Sequence, residues 1–195
     1  VFIATLIGMP LGAATALYKF PGRKFLRIAQ LIPLATPAYL LSAILIDLGS
    51  IYATRVHGIS WGILIMSLTT YPYVFLLSTE SFSICGKKQI EASRSLGIGS
   101  WNSFFKVALP MAIPSIGAGI ALMSMEVINE LGAVQLLNIP TISGGIVENW
   151  TAENNPSGAI GLSLIALTIV MFLITFERLL RRKSRRWTEG LSNRE

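Results

Sequence analysis

Five long apolar runs limit the fold of this chain more than any other feature. They cover residues 1–17, 28–48, 59–77, 109–127 and 157–176. A membrane-spanning helix needs about 17–25 mostly apolar residues, and each run reaches that length. Backbone polar groups inside a bilayer must bond within the protein, so spanning segments of this kind are helical. The sequence therefore predicts an all-α polytopic membrane protein with five transmembrane helices.

The distribution of positive charge predicts how these helices are oriented. Every Lys and Arg except Arg55 falls in residues 18–27, 80–106 or 177–195. Alternating spans place these three segments on one side of the membrane, and the positive-inside rule makes that side the cytoplasm. The predicted N-terminus is therefore outside and the basic tail at 177–195 is cytoplasmic. The net charge of +6 fits a membrane surface, with no nucleic-acid partner.

Composition and motifs argue against catalysis by this chain. Only 13% of its residues are charged, whereas soluble domains carry about 25%. Cys85 is the sole cysteine, which excludes an intrachain disulfide and a zinc site built from thiols. The sequence has no phosphate-binding loop of the Gly-x-x-x-x-Gly-Lys-Ser/Thr type, no zinc-protease motif and no Ser/His/Asp set. We expect a transport subunit that binds no cofactor and takes its energy from a partner or an ion gradient.

Two of the predicted spans contain glycines or prolines that affect how their helices pack or bend. Gly8 and Gly12 form a small-xxx-small pair in the first span, which predicts close approach of another helix. Pro33 and Pro37 interrupt the second span. Prolines within spans are tolerated where neighbouring groups satisfy the freed carbonyls. The interruption is either a kinked wall of a transport path or a kink without function.

The segment between the third and fourth spans predicts a short helix on the basic side. An amphipathic helix from Lys87 to Leu96 can end at Gly97, which tolerates the positive φ of a helix C-terminus. A second short stretch covers residues 100–107. Leu109-Pro110 then begins the fourth span, with the proline near its first turn, where the missing N–H costs little.

This segment carries a multi-point motif. Three residues separate Glu91-Ala92-Ser93 from Gly97, and nine residues separate Gly97 from Val107-x-Leu-Pro. The pattern resembles the EAA loop of permease subunits of binding-protein-dependent ABC importers, with Ser93 and Val107 where that family usually has Ala and Ile. The resemblance implies a type I importer permease fold, with residues 80–107 as a cytoplasmic coupling loop. A partner ATPase, which itself binds ATP and Mg, would contact Glu91, Ala92, Ser93, Arg94, Gly97, Leu109 and Pro110.

A second constellation follows the fourth span on the opposite side. Glu126, Asn129, Glu130 and Gly132 resemble the corresponding segment of iron(III)-type permeases, as does the run at residues 141–150. Four-residue spacing predicts that the two glutamates share one helix face, where their charges repel unless a cation, water or a basic partner is near. They are predicted to contact cargo or the binding protein; the alternative is a solvated helix end.

The sequence thus predicts a single permease domain over residues 1–195 of an inner-membrane, ATP-driven importer, with ferric iron as the expected cargo. Its expected partners are ATPase subunits, an extracytoplasmic binding protein, a second permease unit and membrane lipid. The start at Val1 fits a fragment or the C-terminal half of a longer chain. The alternatives are a permease for another ion, a polyamine or a small solute, and an ion-driven secondary transporter.

Overall fold

The computed structural model describes residues 1–95 and 97–192, and within them the side chains other than those of 85–88, 94 and 180–192. In these ranges the backbone forms helices and connecting turns, with no strand, and the predicted all-α fold is confirmed there. The α-helices are α1 (Phe2–Leu17), α2 (Arg23–Ala29), α3 (Ile32–Ala35), α4 (Ala38–Ile51), α5 (Ile59–Ser81), α6 (Lys87–Ser95), α7 (Ser100–Ser103), α8 (Leu109–Asn129), α9 (Gly132–Leu136), α10 (Ile142–Thr151) and α11 (Pro156–Ser192).

Helix α5 is the centre of the fold, because α1 and α8 both pack against it. The close approach depends on glycines. A Cβ on Gly8 would lie 2.7 Å from the Tyr71 carbonyl oxygen, and one on Gly119 would lie 3.0 Å from the Cα of Val74. A Cβ on Gly12 would overlap the Ser78 hydroxyl. The helix contact predicted from Gly8 and Gly12 is confirmed, and its partner is α5.

Three helices in the described ranges are long and apolar enough to cross a membrane: Ile59–Ile84, Ser100–Asn129 and Pro156–Leu179. Helix α1 is apolar but has 16 residues. The predicted second span is broken, since the helical segments Arg23–Ala35 and Ala38–Ile51 meet at an angle of 85°. Five spans and their orientation therefore remain predictions.

The break in the second span has a local cause at its two prolines. Thr36 is extended, with φ −101° and ψ 109°, as expected for a residue that precedes proline. Pro37 has φ −59° and ψ 138° and caps the start of α4. It has no N–H to continue a helical ladder. The polypeptide therefore changes direction at residues 36–37 instead of bending gently through them.

Two π-helical turns flank the segment between α5 and α8. Phe82–Gly86 joins α5 to α6, and Phe104–Ala108 joins α7 to α8. The rings of Phe82 and Phe104 stack, with centroids 5.7 Å apart. As predicted, α8 begins at Leu109 with Pro110 in its first turn. It follows the π turn without a break, so that one helical segment runs from Ser100 to Asn129. The wider π turn precedes Pro110, where a proline disturbs the regular hydrogen-bond ladder.

The region after α8 contains more helix than the sequence predicts. Residues 126–156 read as a polar, turn-rich loop, yet α9 and α10 form within it. Thr141 caps α10, because its Oγ1 accepts a hydrogen bond from the Gly144 N–H at 3.1 Å. Helix α11 packs against α8 and α10. It continues to Ser192, beyond the predicted end of the fifth span at residue 176.

Candidate functional site

Helix α6 presents part of the predicted motif to the solvent. It begins at Lys87, as predicted, and runs to Ser95; Leu96 lies outside the described residues. The side chains of Glu91 and Ala92 are exposed. An exposed carboxylate beside a small side chain allows another protein to approach the helix closely. The predicted pairing of Glu91 with Arg94 falls outside the described side chains.

The turn after α6 has the geometry predicted for Gly97. Its φ is +81°, a value that L-residues with a side chain rarely adopt. The N–H of Ile98 donates to the Ser93 carbonyl at 3.1 Å, which is the six-to-one bond of a Schellman cap. A Cβ on Gly97 would meet nothing within 4 Å. The glycine is therefore required by the backbone conformation and not by crowding.

Ser93 lies behind the exposed surface. The sequence predicts it at the contact with the ATPase, but its exposure is 8%. Its Oγ donates to the Oγ of Ser103 at 2.7 Å, and Ser103 Oγ donates to the Gly99 carbonyl at 3.1 Å. Ser93 therefore joins α6 to α7 through its hydroxyl, and most of its surface is covered within this chain.

The last two residues of the motif differ in their exposure. Leu109 is partly buried against the hydrophobic core that α1, α5 and α8 form. Pro110 is exposed. Close by, Trp101 and Phe105 are exposed and their rings stack with centroids 5.9 Å apart. Sequence reasoning did not select these two aromatic side chains, although they extend the exposed surface next to α6.

A cavity of about 290 Å³ forms at the other end of α8. Segments that are distant in sequence surround it: the break between α3 and α4, the middle of α5, and the end of α8 with the residue after it. Its lining consists of Pro33, Leu34, Thr36, Pro37, Ala38, Tyr39, Met66, Thr69, Thr70, Tyr73, Glu126 and Glu130.

The two glutamates lie one turn apart where α8 ends, and both line this cavity. Helix α8 ends at Asn129, and Glu130 is its C-cap residue, with φ −69° and ψ 122°. That φ is helical, so the Cβ of Glu130 keeps its helical position and only the residues after it leave the helix, which is compatible with the predicted shared face. Residues that follow α8 bind Glu130 where the helix ends. Its Oε1 accepts the Ala133 N–H at 2.9 Å, and its carbonyl accepts the Ser143 hydroxyl at 2.9 Å.

The other polar contacts fix the shape of the cavity. Tyr73 on α5 and Glu126 on α8 both line the cavity, and they interact electrostatically across it. Asn129 is exposed and is not part of the lining. Gly132 allows α9 to approach α4, since a Cβ there would lie 2.7 Å from the Cβ of Tyr39. Of the four predicted residues, the structure therefore brings Glu126 and Glu130 to the cavity and makes Gly132 a packing residue beside it.

The sequence reasoning missed the α5 side of the cavity. Thr69, Thr70 and Tyr73 lie about one turn apart in a predicted span, and a cluster of hydroxyls there is the signal that could have found them. The hydroxyl of Thr69 donates to the Ile65 carbonyl at 3.0 Å. Its oxygen can still accept a hydrogen bond, so the wall offers acceptors to a cation or to water.

The cavity has an acidic character. Its lining contains two carboxylates, hydroxyl groups and no Lys or Arg from the described part of the chain. No group of three or more His, Cys, Asp or Glu comes together among the described residues. The arrangement can attract a hydrated cation without surrounding it with strong ligands. At 1.5 Å per residue, Glu126 lies roughly 24 Å along α8 from Pro110, close to the thickness of a bilayer core.

Comparison with known families decides the class of the chain. The family described as binding-protein-dependent transport system inner membrane component matches residues 8–186. The chain belongs to this family. It is a multi-pass inner-membrane permease component, and the resemblance drawn from the Glu91 motif is confirmed.

Relatives of this permease differ in their named cargo. An Fe(3+)-transport system permease protein, FbpB 2 of Haemophilus influenzae, is 29% identical over 174 residues, which cover 89% of this chain and 33% of that protein. The molybdenum permease ModB of Escherichia coli is 25% identical, with 94% and 90% of the two chains covered. The sulfate permease CysT of the same species is 31% identical, with 60% and 46% covered.

The permease spans about a third to a half of the first of these relatives. The shares are 33% for FbpB 2, 54% for the molybdate/tungstate permease WtpB of Thermococcus kodakarensis and 46% for CysT. Among solved structures, an inward-facing MetNI methionine ABC transporter matches with a TM-score of 0.75 at 16% identity, covering 93% of this chain and 88% of that one. This likeness shows the fold.

Proposed function

We propose that the permease is the membrane component of an ATP-driven importer and that α6 is its coupling helix. The observation that carries this proposal is the exposed Glu91-Ala92 face of a helix closed by Gly97 in a chain whose family match covers residues 8–186. Partner ATPase subunits, which bind ATP and Mg, would contact this face of α6. A binding protein would deliver cargo at the opposite side, and a second permease unit, identical or homologous, would complete the path.

The structure offers a physical link between α6 and the cavity. The brace between Ser93 and Ser103 and the stack of Phe82 on Phe104 hold α6 against the ends of α5 and α8. These two long helices carry Tyr73 and Glu126 to the cavity. Close-packed interiors transmit displacement, so a movement of α6 would reach the cavity along both helices. ATP favours one access state only through its differential affinity for the two states.

We propose ferric iron as the cargo, because the cavity favours a cation. Two carboxylates in a partly enclosed site attract a cation and oppose an oxyanion such as molybdate or sulfate. The lining, as far as the structure describes it, holds no Lys or Arg that could neutralise an anion. The iron-named relative adds support through its identity, which is 29% over 89% of this chain, against 25% over 94% for the molybdenum permease. Molybdate and sulfate, which other relatives name, are the competing cargos.

One observation favours a second candidate, an ion-driven secondary transporter. The helices on either side of Pro37 meet at 85° beside the acidic cavity, and secondary transporters place broken helices at their ion sites. The two functions differ in their energy source. In proteoliposomes, uptake that needs ATP and the ATPase supports the importer, whereas uptake driven by a proton or sodium gradient alone supports the secondary transporter.

Co-purification tests the coupling helix directly. Glu91→Ala should reduce recovery of the ATPase with the permease, because it removes the exposed carboxylate from the proposed contact. Glu153→Ala is the matched control: it also removes an exposed carboxylate, but in the turn after α10. Equal ATPase recovery with both variants would contradict the coupling assignment.

Competition between cargos tests the substrate. The complete transporter, reconstituted with its ATPase and binding protein, is supplied separately with radiolabelled ferric iron, molybdate and sulfate. We expect ATP-dependent uptake of ferric iron and no uptake of the two oxyanions above the level without ATP. Uptake of either oxyanion in place of iron would retain the importer and overturn the cargo.

A further inference from the structure

A basic cavity of about 550 Å³ lies at the end of α1, outside the two regions above. Its lining consists of Lys19, Phe20, Gly22, Arg23, Lys24 and Arg27. The chain turns here through Gly22, whose φ is +81°. The turn directly follows the apolar α1, and Arg27 Nη2 lies 4.0 Å from an oxygen of Glu80 near the end of α5. Two apolar helices end at this cavity, which places it at the boundary between hydrocarbon and water.

Arg23 braces the turn and so gives the cavity a fixed wall. Its Nε donates to the Thr15 carbonyl at 2.5 Å, and Nη2 donates to the Ala16 carbonyl at 3.4 Å. These carbonyls belong to the last turn of α1, where a helix leaves acceptors without partners and carries partial negative charge. The guanidinium is therefore committed to α1, and the turn is held against that helix.

The remaining positive charges exceed the negative charge near them. Lys19 and Lys24 are exposed and form no ion pair within the described part of the chain. Arg27 pairs with Glu80, but the two side chains are 50% and 61% exposed, and such a pair neutralises little in water. Clustered cations next to a spanning helix attract anionic lipid. The cavity therefore favours an anionic occupant.

Apolar side chains beside these charges indicate the kind of anion. Phe20 lines the cavity. Phe25 and Ile28 lie three residues apart on α2, on one face of the helix, and are 76% and 66% exposed. Amphipathic helices with this arrangement lie in the membrane interface, with their apolar face among the lipid chains. A soluble anion would need no such neighbour, whereas a phospholipid would contact both kinds of surface.

We propose that this cavity binds the phosphate headgroup of an anionic phospholipid. Lys19, Lys24 and Arg27 would contact the phosphate, and Phe25 and Ile28 would contact the acyl chains. This site is independent of the cargo and of the coupling helix, and it would attach the α1–α2 turn to the membrane surface.

Native mass spectrometry of the complete permease complex in detergent tests the proposal, with dioleoylphosphatidylglycerol and dioleoylphosphatidylcholine as probes. We expect phosphatidylglycerol to bind more tightly than phosphatidylcholine. The variant K19Q/K24Q should lower the affinity for phosphatidylglycerol by about tenfold or more, since each basic residue near a lipid surface contributes about 1 kcal/mol. The variant K19R/K24R keeps both charges and should retain the binding.

A charge-matched control separates a site from general attraction. R55Q/R178Q also removes two exposed charges, at positions far from the cavity in sequence. It should leave phosphatidylglycerol binding unchanged. Equal loss with both double variants, or unchanged affinity in K19Q/K24Q, would overturn the proposal.

Two further measurements distinguish the lipid from other occupants. Phe25→Gln with Ile28→Gln should weaken phosphatidylglycerol binding, and inorganic phosphate at millimolar concentration should not displace the lipid. Displacement by phosphate would mean a site for free anions and would overturn the lipid assignment. If K19Q/K24Q lowers ATPase recovery but leaves lipid binding intact, the cavity is a protein contact, and the lipid assignment would be overturned.

Discussion

The coupling segment around α6 and the acidic cavity at the far end of α8 are built in different ways. In the coupling segment the hydrogen bonds that shape α6 and the turn after it join residues at most ten positions apart, such as Ser93 with Ser103 and Ile98 with Ser93. The cavity joins the break before α4, the middle of α5 and the end of α8. A local motif therefore specifies the first region, whereas the second exists only after the long helices have packed.

The two regions also present their charges differently. Glu91 stands on an exposed helix face that another protein can reach. Glu126 is also exposed, but it and the partly buried Glu130 line a partly enclosed space between packed helices, where Glu126 lies beside Tyr73 and Glu130 accepts the Ala133 N–H. A partner protein fits the first setting and a small cargo fits the second. If this contrast is correct, changes in the cavity should lower uptake and leave ATPase recovery intact, whereas changes in the coupling segment should lower both.

The largest effect is expected from Gly97→Val. A β-branched residue at φ +81° costs about 1–3 kcal/mol of backbone strain, and the Schellman turn after α6 should not form. We expect ATP-dependent uptake to fall by about tenfold or more, with reduced ATPase recovery. Gly99→Val is the matched control, because Gly99 has φ −61° and ψ 151° and open space around it. Equal uptake by Gly97→Val and Gly99→Val would mean that the turn after α6 has no role in coupling.

A smaller effect, confined to the cavity, is expected from Gly132→Ala. The added methyl group would lie 2.7 Å from the Cβ of Tyr39, and such overpacking costs about 1–3 kcal/mol. Uptake should fall several-fold while ATPase recovery stays at the wild-type level. Gly161→Ala on α11 adds the same group where nothing lies within 4 Å. Loss of ATPase recovery in the Gly132 variant would break the separation between the two regions.

The smallest effect is expected from Ser93→Ala, which tests the internal brace. Loss of the hydrogen bond to Ser103 should lower the free energy of unfolding by about 0.5–1.5 kcal/mol, as measured by thermal unfolding of the purified permease. ATPase recovery should fall modestly, because α6 is held less firmly. Ser95→Ala removes an exposed hydroxyl that bonds within its own helix. A greater loss of ATPase recovery in Ser95→Ala than in Ser93→Ala would mean that the ATPase contacts the side of α6 that carries Ser95.

The contrast explains which features could be predicted from sequence. Helix α6 and the positive φ of Gly97 follow from short-range rules of helix capping, so the motif was sufficient. The burial of Ser93 depends on where α7 folds back, and the motif does not contain that information. Pro33 and Pro37 predict an interruption, but packing against the rest of the fold sets the angle of 85°.

The cavity was predictable only in part for the same reason. Glu126 and Glu130 were identified by their charges and spacing, and the predicted end of the fourth span at residue 127 lies close to the end of α8 at Asn129. The contacts of Glu130 with the Ala133 N–H and the Ser143 hydroxyl were not predicted, because they form only when the residues after α8 fold back towards it. Tyr73 was not among the predicted site residues, because its position beside Glu126 exists only when α5 and α8 pack.

The double variant E126Q/E130Q tests the central claim most directly when uptake and ATPase recovery are measured on the same reconstituted transporter. Glutamine keeps the size of each side chain and an oxygen that can accept the Ala133 N–H, so the fold should be retained. E148Q/E153Q is the control, since it neutralises two exposed glutamates outside the cavity lining. We predict that ferric iron uptake falls in E126Q/E130Q and not in E148Q/E153Q, with ATPase recovery unchanged in both variants. Undiminished uptake at normal expression, or loss of the ATPase, would contradict it.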